Sequence, residues 1–378
     1  MYISSAFDSG NIEVVNADAN PIELAIRKDN NSDFYQWFHF RLEGETGQTY
    51  ALRIVNAAKA AFPEGWDNYS VCASYDRNHW FRIPASYDNA HLDFEVELDQ
   101  PSIYLAYFVP YSWERHLDLL AWTQQHEQVN SETLGLTLDG REMTLLTIGD
   151  PETAKHRIWI TARQHPGESM AEWFIEGMLE VLLDEANPTA TRLLRDCVFY
   201  VVPNMNPDGS VRGHLRTNAC GANLNREWES PSMERSPEVY LVRERMLEAG
   251  GDLFLDIHGD EALPYNFVAG CEGIPGFDQR HQQLQDTFKA AFVAASPDFQ
   301  TEYGYPLDQP GEANLTIAAN WLGQQFRTLS FTIEMPFKDN ADLPDPVEGW
   351  SPARSRQLGM DVLNPIRATL PLLGQGAK

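Results

Sequence analysis

The sequence predicts an α/β protein in two parts: a small antiparallel β-sandwich over residues 1–110, then an α/β domain with a mixed or parallel sheet over 111–378. Two observations predict it. Short alternating runs rich in aromatic and β-branched residues, separated by Asn, Asp, Gly and Pro, fill the first hundred or so residues. Beyond Pro110-Tyr111-Ser112, strand-like runs alternate with longer helical stretches, the pattern of helices packed on a central sheet.

In the first part the runs are Asn11-Ile-Glu-Val-Val, Tyr35-Gln-Trp-Phe-His-Phe-Arg-Leu, Tyr50-Ala-Leu-Arg-Ile-Val and Leu92-Asp-Phe-Glu-Val-Glu-Leu. In the second part His156–Ala162 reads as a strand, Met170–Leu183 as an amphipathic helix and Val198–Pro203 as a strand. A loop-rich stretch reaches to about Ser236, and Pro203–Gly209 within it reads as turn formers in a long loop. Pro237–Ala249 follows as a helix, Leu253–Ile257 as a strand, His281–Ala295 as a helix and Leu329–Ile333 as a strand. Ser351–Leu373 closes with a helical region.

A chain of 378 residues with 43% hydrophobic and 22% charged content is long enough for one or two well-buried cores. Its net charge of −27 argues against nucleic acid or an anionic membrane as partner. No run approaches the about 18 apolar residues of a membrane span. Met1–Asp8 lacks the basic and apolar regions of a secretory signal. With only Cys72, Cys197, Cys220 and Cys271, none in close pairs, the expectation is a cytoplasmic protein with reduced thiols.

The chemistry is read from strand ends. The strand His156–Ala162 runs into Arg163-Gln-His165-Pro-Gly-Glu168, which opens a helix. A His and a carboxylate three residues apart across a Pro-Gly turn can form two legs of a zinc tripod, although H-x-x-E taken alone is more often a solvated helix N-terminus. His258 ends the strand Leu253–Ile257 and supplies a third, leaving the open position that a catalytic zinc keeps. Asp256 faces the same side two residues earlier, either supporting His258 or serving as a surface cap. Glu334 ends the apolar strand Leu329–Ile333 before Pro336, where it is a candidate general base or simply a surface ion-pair partner. Asn225-Arg226 offers an amide and a guanidinium fork for a substrate carboxylate, and Arg216 a charge for an oxyanion, although a loop arginine taken alone is usually a solvated charge.

Taken together, His165-Pro-Gly-Glu168, Asn204-Met-Asn-Pro-Asp-Gly, Asn223-Leu-Asn225-Arg226, Asp256-Ile-His258-Gly and Phe331-Thr-Ile-Glu334-Met resemble the zinc carboxypeptidases, specifically their cytosolic branch, over residues 111–378. Gln36-Trp-Phe-His-Phe-Arg resembles the β-sandwich that precedes the catalytic domain in that branch. The resemblance implies an α/β/α catalytic domain with a mixed sheet and one zinc per chain on His165, Glu168 and His258. It also implies Glu334 as base, Asn225 and Arg226 on the terminal carboxylate, and Arg216 on the oxyanion. The expected activity is removal of C-terminal residues from peptides or proteins. Glutamate is one candidate residue, although Arg327 is the only basic side chain between Tyr305 and Glu334. Two departures stand out: Asn223 replaces a usual aspartate, and the substrate-facing tyrosine of secreted relatives has only Tyr303 and Tyr305 as loose counterparts. A zinc amidohydrolase acting on small N-acyl amino acids, and a catalytically inactive binding protein, are the alternatives. The other histidines read as ordinary residues, with His214 a remote candidate for substrate contact.

Overall fold

A computed structural model of the chain describes residues 1–373. The first sheet is built from β1 (Tyr2–Ser4), β2 (Glu13–Asn16), β3 (Ile22–Ala25), β4 (His39–Glu43), β5 (Thr49–Ile54), β6 (Ser70–Ser74), β7 (Phe81–Tyr87), β8 (Leu92–Glu97) and β9 (Ser102–Ala106). Their order is β1-β4-β9-β6-β7-β8-β5-β3-β2. All neighbours are antiparallel except β3 and β5. The expected antiparallel sheet domain is present, and its two layers are continuous. β7 pairs with β6 through Phe81–Pro84 and with β8 through Ala85–Tyr87. A bridge from Asn11 to His39 then brings the segment before β2 back to β4, so the sheet nearly closes. Alternation decides the facing: in β8, Leu92, Phe94 and Val96 are buried while Glu95 and Glu97 are exposed. Tyr35–Phe38 departs from expectation, because the strand begins only at His39. Gln36 there bonds both the N–H and the C=O of Phe62 through its side chain, so this stretch docks as buried irregular chain.

The second part runs α1 (Trp113–Thr123), β10 (Val129–Leu136), β11 (Glu142–Ile148), β12 (His156–Ala162), α2 (Met170–Leu182), α3 (Pro188–Asp196), β13 (Cys197–Val202) and α4 (Pro207–Arg212). It continues through α5 (Pro237–Ala249), β14 (Leu253–Asp260), β15 (Phe267–Ala269), α6 (Gln279–Ala295), α7 (Ala318–Phe326), β16 (Leu329–Pro336), α8 (Pro352–Asp361) and α9 (Leu363–Leu373). The sheet order is β10-β11-β13-β12-β14-β16-β15, parallel from β13 to β16 and antiparallel at both edges. Period-two alternation shows that both faces are covered. Ile158, Ile160, Phe199 and Val201 belong to one core with α2, α6, α8 and α9. Trp159, Val198, Tyr200 and Val202 belong to a second with α5 and α7.

The stretch after β13 is more ordered than its turn-rich sequence predicts. Asn206 caps α4 by accepting from Gly209 N, and Pro207 occupies the first turn, where its missing N–H costs nothing. No helix among the described residues is long and apolar enough to cross a membrane. All four cysteines are free.

Candidate active site

The order of the parallel strands fixes where a site can form. From β12 the chain passes to β13 on one side, then returns to β14 on the other. The crevice beyond the C-terminal ends of β12 and β14 is therefore a topological switch point, where open α/β sheets bind ligands. His165 and Glu168 lie just after β12 and His258 lies in β14. One donor atom from each falls within 4.8 Å of the others.

The turn carrying His165 and Glu168 is held from behind. Arg163 adopts φ of 58°, unusual for a residue with a side chain. Its buried guanidinium donates to Pro166 O and Tyr111 O, each at 2.9 Å, and pairs with Glu172 in α2. At Gly167 a Cβ would sit 2.9 Å from Leu215 O, so the turn can pack against the 214–217 segment only without a side chain.

His165 Nδ1 is 2.7 Å from Glu168 Oε1, and His258 Nδ1 is 2.8 Å from Glu168 Oε2. The outward nitrogens are engaged: His165 Nε2 with Asn223 Oδ1 at 3.1 Å, His258 Nε2 with Asp256 Oδ2 at 2.8 Å. Asp256 is fully buried and also accepts from Thr161 Oγ1 and Gln164 Nε2, which makes it a support for His258 and not a surface cap. Both imidazoles are thus oriented with Nδ1 toward one point, the donor set and outer bonding that suit zinc. Burial and the Arg216 charge press His165 down to about 4. Burial acts the same way on His258, but Asp256 and Glu168 outweigh it and raise His258 well above its ordinary value. Glu168 feels burial in the opposite sense, outweighed by the two histidines, and is held low.

Glu334 follows from strand register. In the parallel pair β14/β16 it lies directly opposite His258. Its Oε1 accepts from Tyr305 Oη at 3.2 Å, while Oε2 is buried with no hydrogen-bond partner. Burial, reinforced by Glu168 and Asp260, raises its pKa well above the carboxylate range. Tyr305, only a loose counterpart in the sequence, also bonds Asp260 Oδ2 at 2.6 Å and lines the cavity.

A cavity of about 630 Å³ collects His165, Glu168, His258, Glu334, Arg216, Asn225, Arg226 and Tyr305. Asn225 Oδ1 accepts from Ala318 N, fixing the amide against the start of α7. Arg226 Nη1 donates to Asn225 O at 2.6 Å. Burial and the neighbouring charge of Arg216 lower the Arg226 pKa, which marks two cations facing one space. Two sequence candidates are elsewhere. His214 bonds Asn30 N and Thr217 O, shaping the loop. Arg327 lines a different cleft and pairs with Asp278.

Sequence reasoning missed Asp29. This buried carboxylate of the first domain accepts from Leu215 N, Arg216 N and Thr217 N at 2.7, 2.8 and 2.9 Å. Phe34 and Phe62 of the same domain lie 5.4 and 5.2 Å from the Arg216 guanidinium. Nothing in an Asp 187 residues upstream of Arg216 signals that contact.

Residues 114–355 match the sequence profile of the zinc carboxypeptidases, and residues 3–108 that of the cytosolic carboxypeptidase N-terminal domain. The chain belongs to the zinc carboxypeptidase family. It is a metallocarboxypeptidase of two domains, an N-terminal sheet domain and an α/β catalytic domain. The metallo-carboxypeptidase of Burkholderia cenocepacia is 51% identical, with a TM-score of 0.95 over 98% of this chain and 99% of that one. That of Pseudomonas aeruginosa, solved in complex with (2-guanidinoethylmercapto)succinic acid, is 46% identical, with a TM-score of 0.96 over 99% of this chain and all of that one (100%). Human cytosolic carboxypeptidase 1 is 30% identical over 71% of this chain, which spans 26% of that protein's length.

Proposed function

We propose that this carboxypeptidase holds one zinc on His165, Glu168 and His258 and removes single residues from free peptide or protein C-termini. One observation carries the reading. Glu334 presents a buried, unpartnered oxygen beside the His-Glu-His trio, in a cavity whose cations are Arg216 and Arg226. When bound, zinc supplies Lewis-acid polarisation of the scissile carbonyl and of the attacking water. Glu334 takes a proton from that water as it adds to the carbonyl, then returns it to the leaving amine as the C–N bond breaks. Arg216 stabilises the charge developing on the carbonyl oxygen. Arg226 and the Asn225 amide hold the substrate's terminal carboxylate, which limits cleavage to the last residue. The division into residues 1–110 and 111–378 belongs to the same proposal, as does a cytoplasmic setting, supported by the naming of the cytosolic relatives. We assign no role to nucleic acid or membrane, on the net charge of −27.

The test is mass spectrometry of peptides incubated with zinc-loaded protein, with C-terminally amidated controls. Stepwise loss of C-terminal residues, blocked by amidation, is expected. Glu334→Gln is expected to retain zinc and lose activity by on the order of 10³-fold or more. Full activity in the zinc-bound variant overturns the base assignment. Failure to cleave any peptide, with turnover of N-acyl amino acids, replaces the reading with an amidohydrolase.

A further inference from the structure

We propose a second ligand site, a cleft at the far end of the catalytic sheet that takes a free α-amino acid as its zwitterion. It lies outside the catalytic cavity and uses none of that cavity's residues. Strand register gives its place. Asp252 directly precedes β14, Thr328 directly precedes β16, and Leu253 pairs with Leu329. The cleft is thus at the N-terminal ends of the strands, roughly 20 Å from His258 and Glu334 at about 3.3 Å of rise per residue. Together with the first turn of α6, these strand starts bound a space of about 430 Å³, within the size range of small-molecule sites.

Two buried polar atoms point to an occupant. His281 and Thr328 line the cleft and are 2% and 3% exposed, yet His281 Nε2 and Thr328 Oγ1 have no hydrogen-bond partner among the described residues. Buried polar atoms are rarely left so. The histidine tautomer defines what is missing. His281 Nδ1 lies 2.6 Å from Asp278 Oδ1, and the longer approach of Asp278 N to the same nitrogen, 3.3 Å, is the weaker contact. The His281 N–H holds the Asp278 carboxyl low, at about 2, so Nδ1 faces a carboxylate and carries the proton. In the neutral ring Nε2 is then an acceptor in need of a donor, whereas the Thr328 hydroxyl can meet either kind of group.

The charges in the wall call for both signs. Asp252 lines the cleft, with Oδ2 accepting from Arg157 N at 2.8 Å. Arg327 lines it too, donating through Nη2 to Asp278 Oδ2 at 3.0 Å, with its side chain 65% exposed. A guanidinium carries five N–H groups, so donors remain for a second acceptor. Arg280 braces the wall by donating to Arg327 O and Leu373 O. A simple anion would meet Asp252 and Asp278 beside the arginines, and a simple cation the reverse. One small molecule satisfies both: an α-ammonium group donates to Asp252 and His281 Nε2, while its neighbouring carboxylate accepts from Arg327 and Thr328. Free amino acids are also what the proposed reaction releases, and that link alone rests on the carboxypeptidase reading.

The test is calorimetric titration of L-alanine and L-leucine into the zinc-loaded chain. An Arg226→Met background removes the carboxylate contact of the catalytic cavity, so that binding there is not counted. Amino-acid binding is expected to persist in that background and to weaken about tenfold or more on adding Arg327→Asn or Thr328→Val. Asparagine suits the left-handed backbone at Arg327, φ 52°, valine keeps the shape of threonine, and melting curves confirm folding. N-acetylalanine, alaninamide and inorganic phosphate each lack one half of the zwitterion and are expected to bind at least about tenfold more weakly than alanine. These ligand comparisons need no substitution in the cleft. Absence of amino-acid binding, its complete loss in Arg226→Met alone, or binding that both cleft variants leave unchanged overturns the proposal. Phosphate or N-acetylalanine binding as tightly as alanine makes the cleft a plain anion site and overturns the zwitterion assignment. None of these readouts uses peptide cleavage, so failure of the carboxypeptidase reading leaves the test intact.

Discussion

A carboxylate taken out of water is costly unless something in the fold or the reaction uses it. Glu334 is held near the proposed metal and loses its bland reading as a surface ion-pair partner, because among the described residues no lysine or arginine pairs with it and its Oε2 is buried. Glu238 is a different case, remote from the chemistry. It lies fully buried in the first turn of α5, accepting from Asn218 Nδ2 at 3.2 Å. Burial pushes its pKa from the ordinary 4.5 to about 7, with the Asp208 and Asp139 charges adding to the rise. The folded state thus favours the protonated form. That contribution to stability is full below about pH 4.5 and is lost as pH rises through about 7. Glu238→Gln keeps the shape and removes the titration. At pH 8 it should stabilise the protein by up to about 3 kcal/mol, and near pH 4.5 by little. Guanidinium midpoints of both proteins at the two pH values check this. A difference between them that does not change with pH contradicts it. Why His165, Glu168, His258 and Glu334 were legible in the sequence is also a residue-scale matter. In the sequence each follows an apolar strand-like run or sits in a Pro-Gly turn, a local pattern with few other uses, although β14 and β16 continue two residues past His258 and Glu334. Arg163 was not legible, because its neighbours Tyr111 O and Glu172 are set by the packing of α2 on the sheet.

Among the elements, the segment 214–217 links the two domains to the chemistry. It has no regular structure of its own, and the backbone N–H groups of Leu215, Arg216 and Thr217 are met by one side chain, Asp29. Removing that acceptor leaves three N–H groups without it, two of them buried and each of those costing about 1–3 kcal/mol if nothing replaces it. Asp29→Ala should therefore lower the melting temperature and also displace Arg216. A misplaced oxyanion donor weakens transition-state binding more than substrate binding, so kcat should fall about 10- to 100-fold with KM changing less. Asp29→Asn keeps one acceptor oxygen and should recover part of both losses. A destabilised Asp29→Ala protein with unchanged kcat shows the clamp to be structural only. At this scale sequence reading succeeded for long apolar or helix-forming runs bounded by turn residues, as in α2, α5, β12 and β16. It passed over the hairpin β10/β11, whose first strand is largely exposed on both faces and carries no alternation. It also took α4 for loop, since Pro-Asp-Gly-Ser reads as a turn until Asn206 is seen to cap it.

For the whole molecule the question is whether the two domains are separable. Inter-domain contacts within a chain commonly permit relative motion unless the interface is large and apolar. Here a single core cluster runs from Trp37, Phe40 and Tyr107 of the first domain into Phe337, Trp350 and the α2 face of the second. Tyr107 stacks on Phe337 at 4.6 Å. Arg82, on β7, donates to Phe337 O, Trp350 O and Glu348 O at 2.9, 3.0 and 3.0 Å. Lys338 Nζ returns the contact by donating to Asp67 O at 2.8 Å. These bonds satisfy backbone carbonyls of one domain with side chains of the other, so separating the domains leaves polar groups to be resolvated on both. The expected consequence is one cooperative unfolding unit. Calorimetry should show a single endotherm, with van't Hoff and calorimetric enthalpies in agreement. Zinc, binding only the folded state, should raise its temperature, and chelation should lower it without splitting the peak. Two resolved transitions, with the chelator moving only one, would mean that the N-terminal domain covers the catalytic domain without being part of its folding. The Asp29 clamp on Arg216 would then be a contact the protein can open.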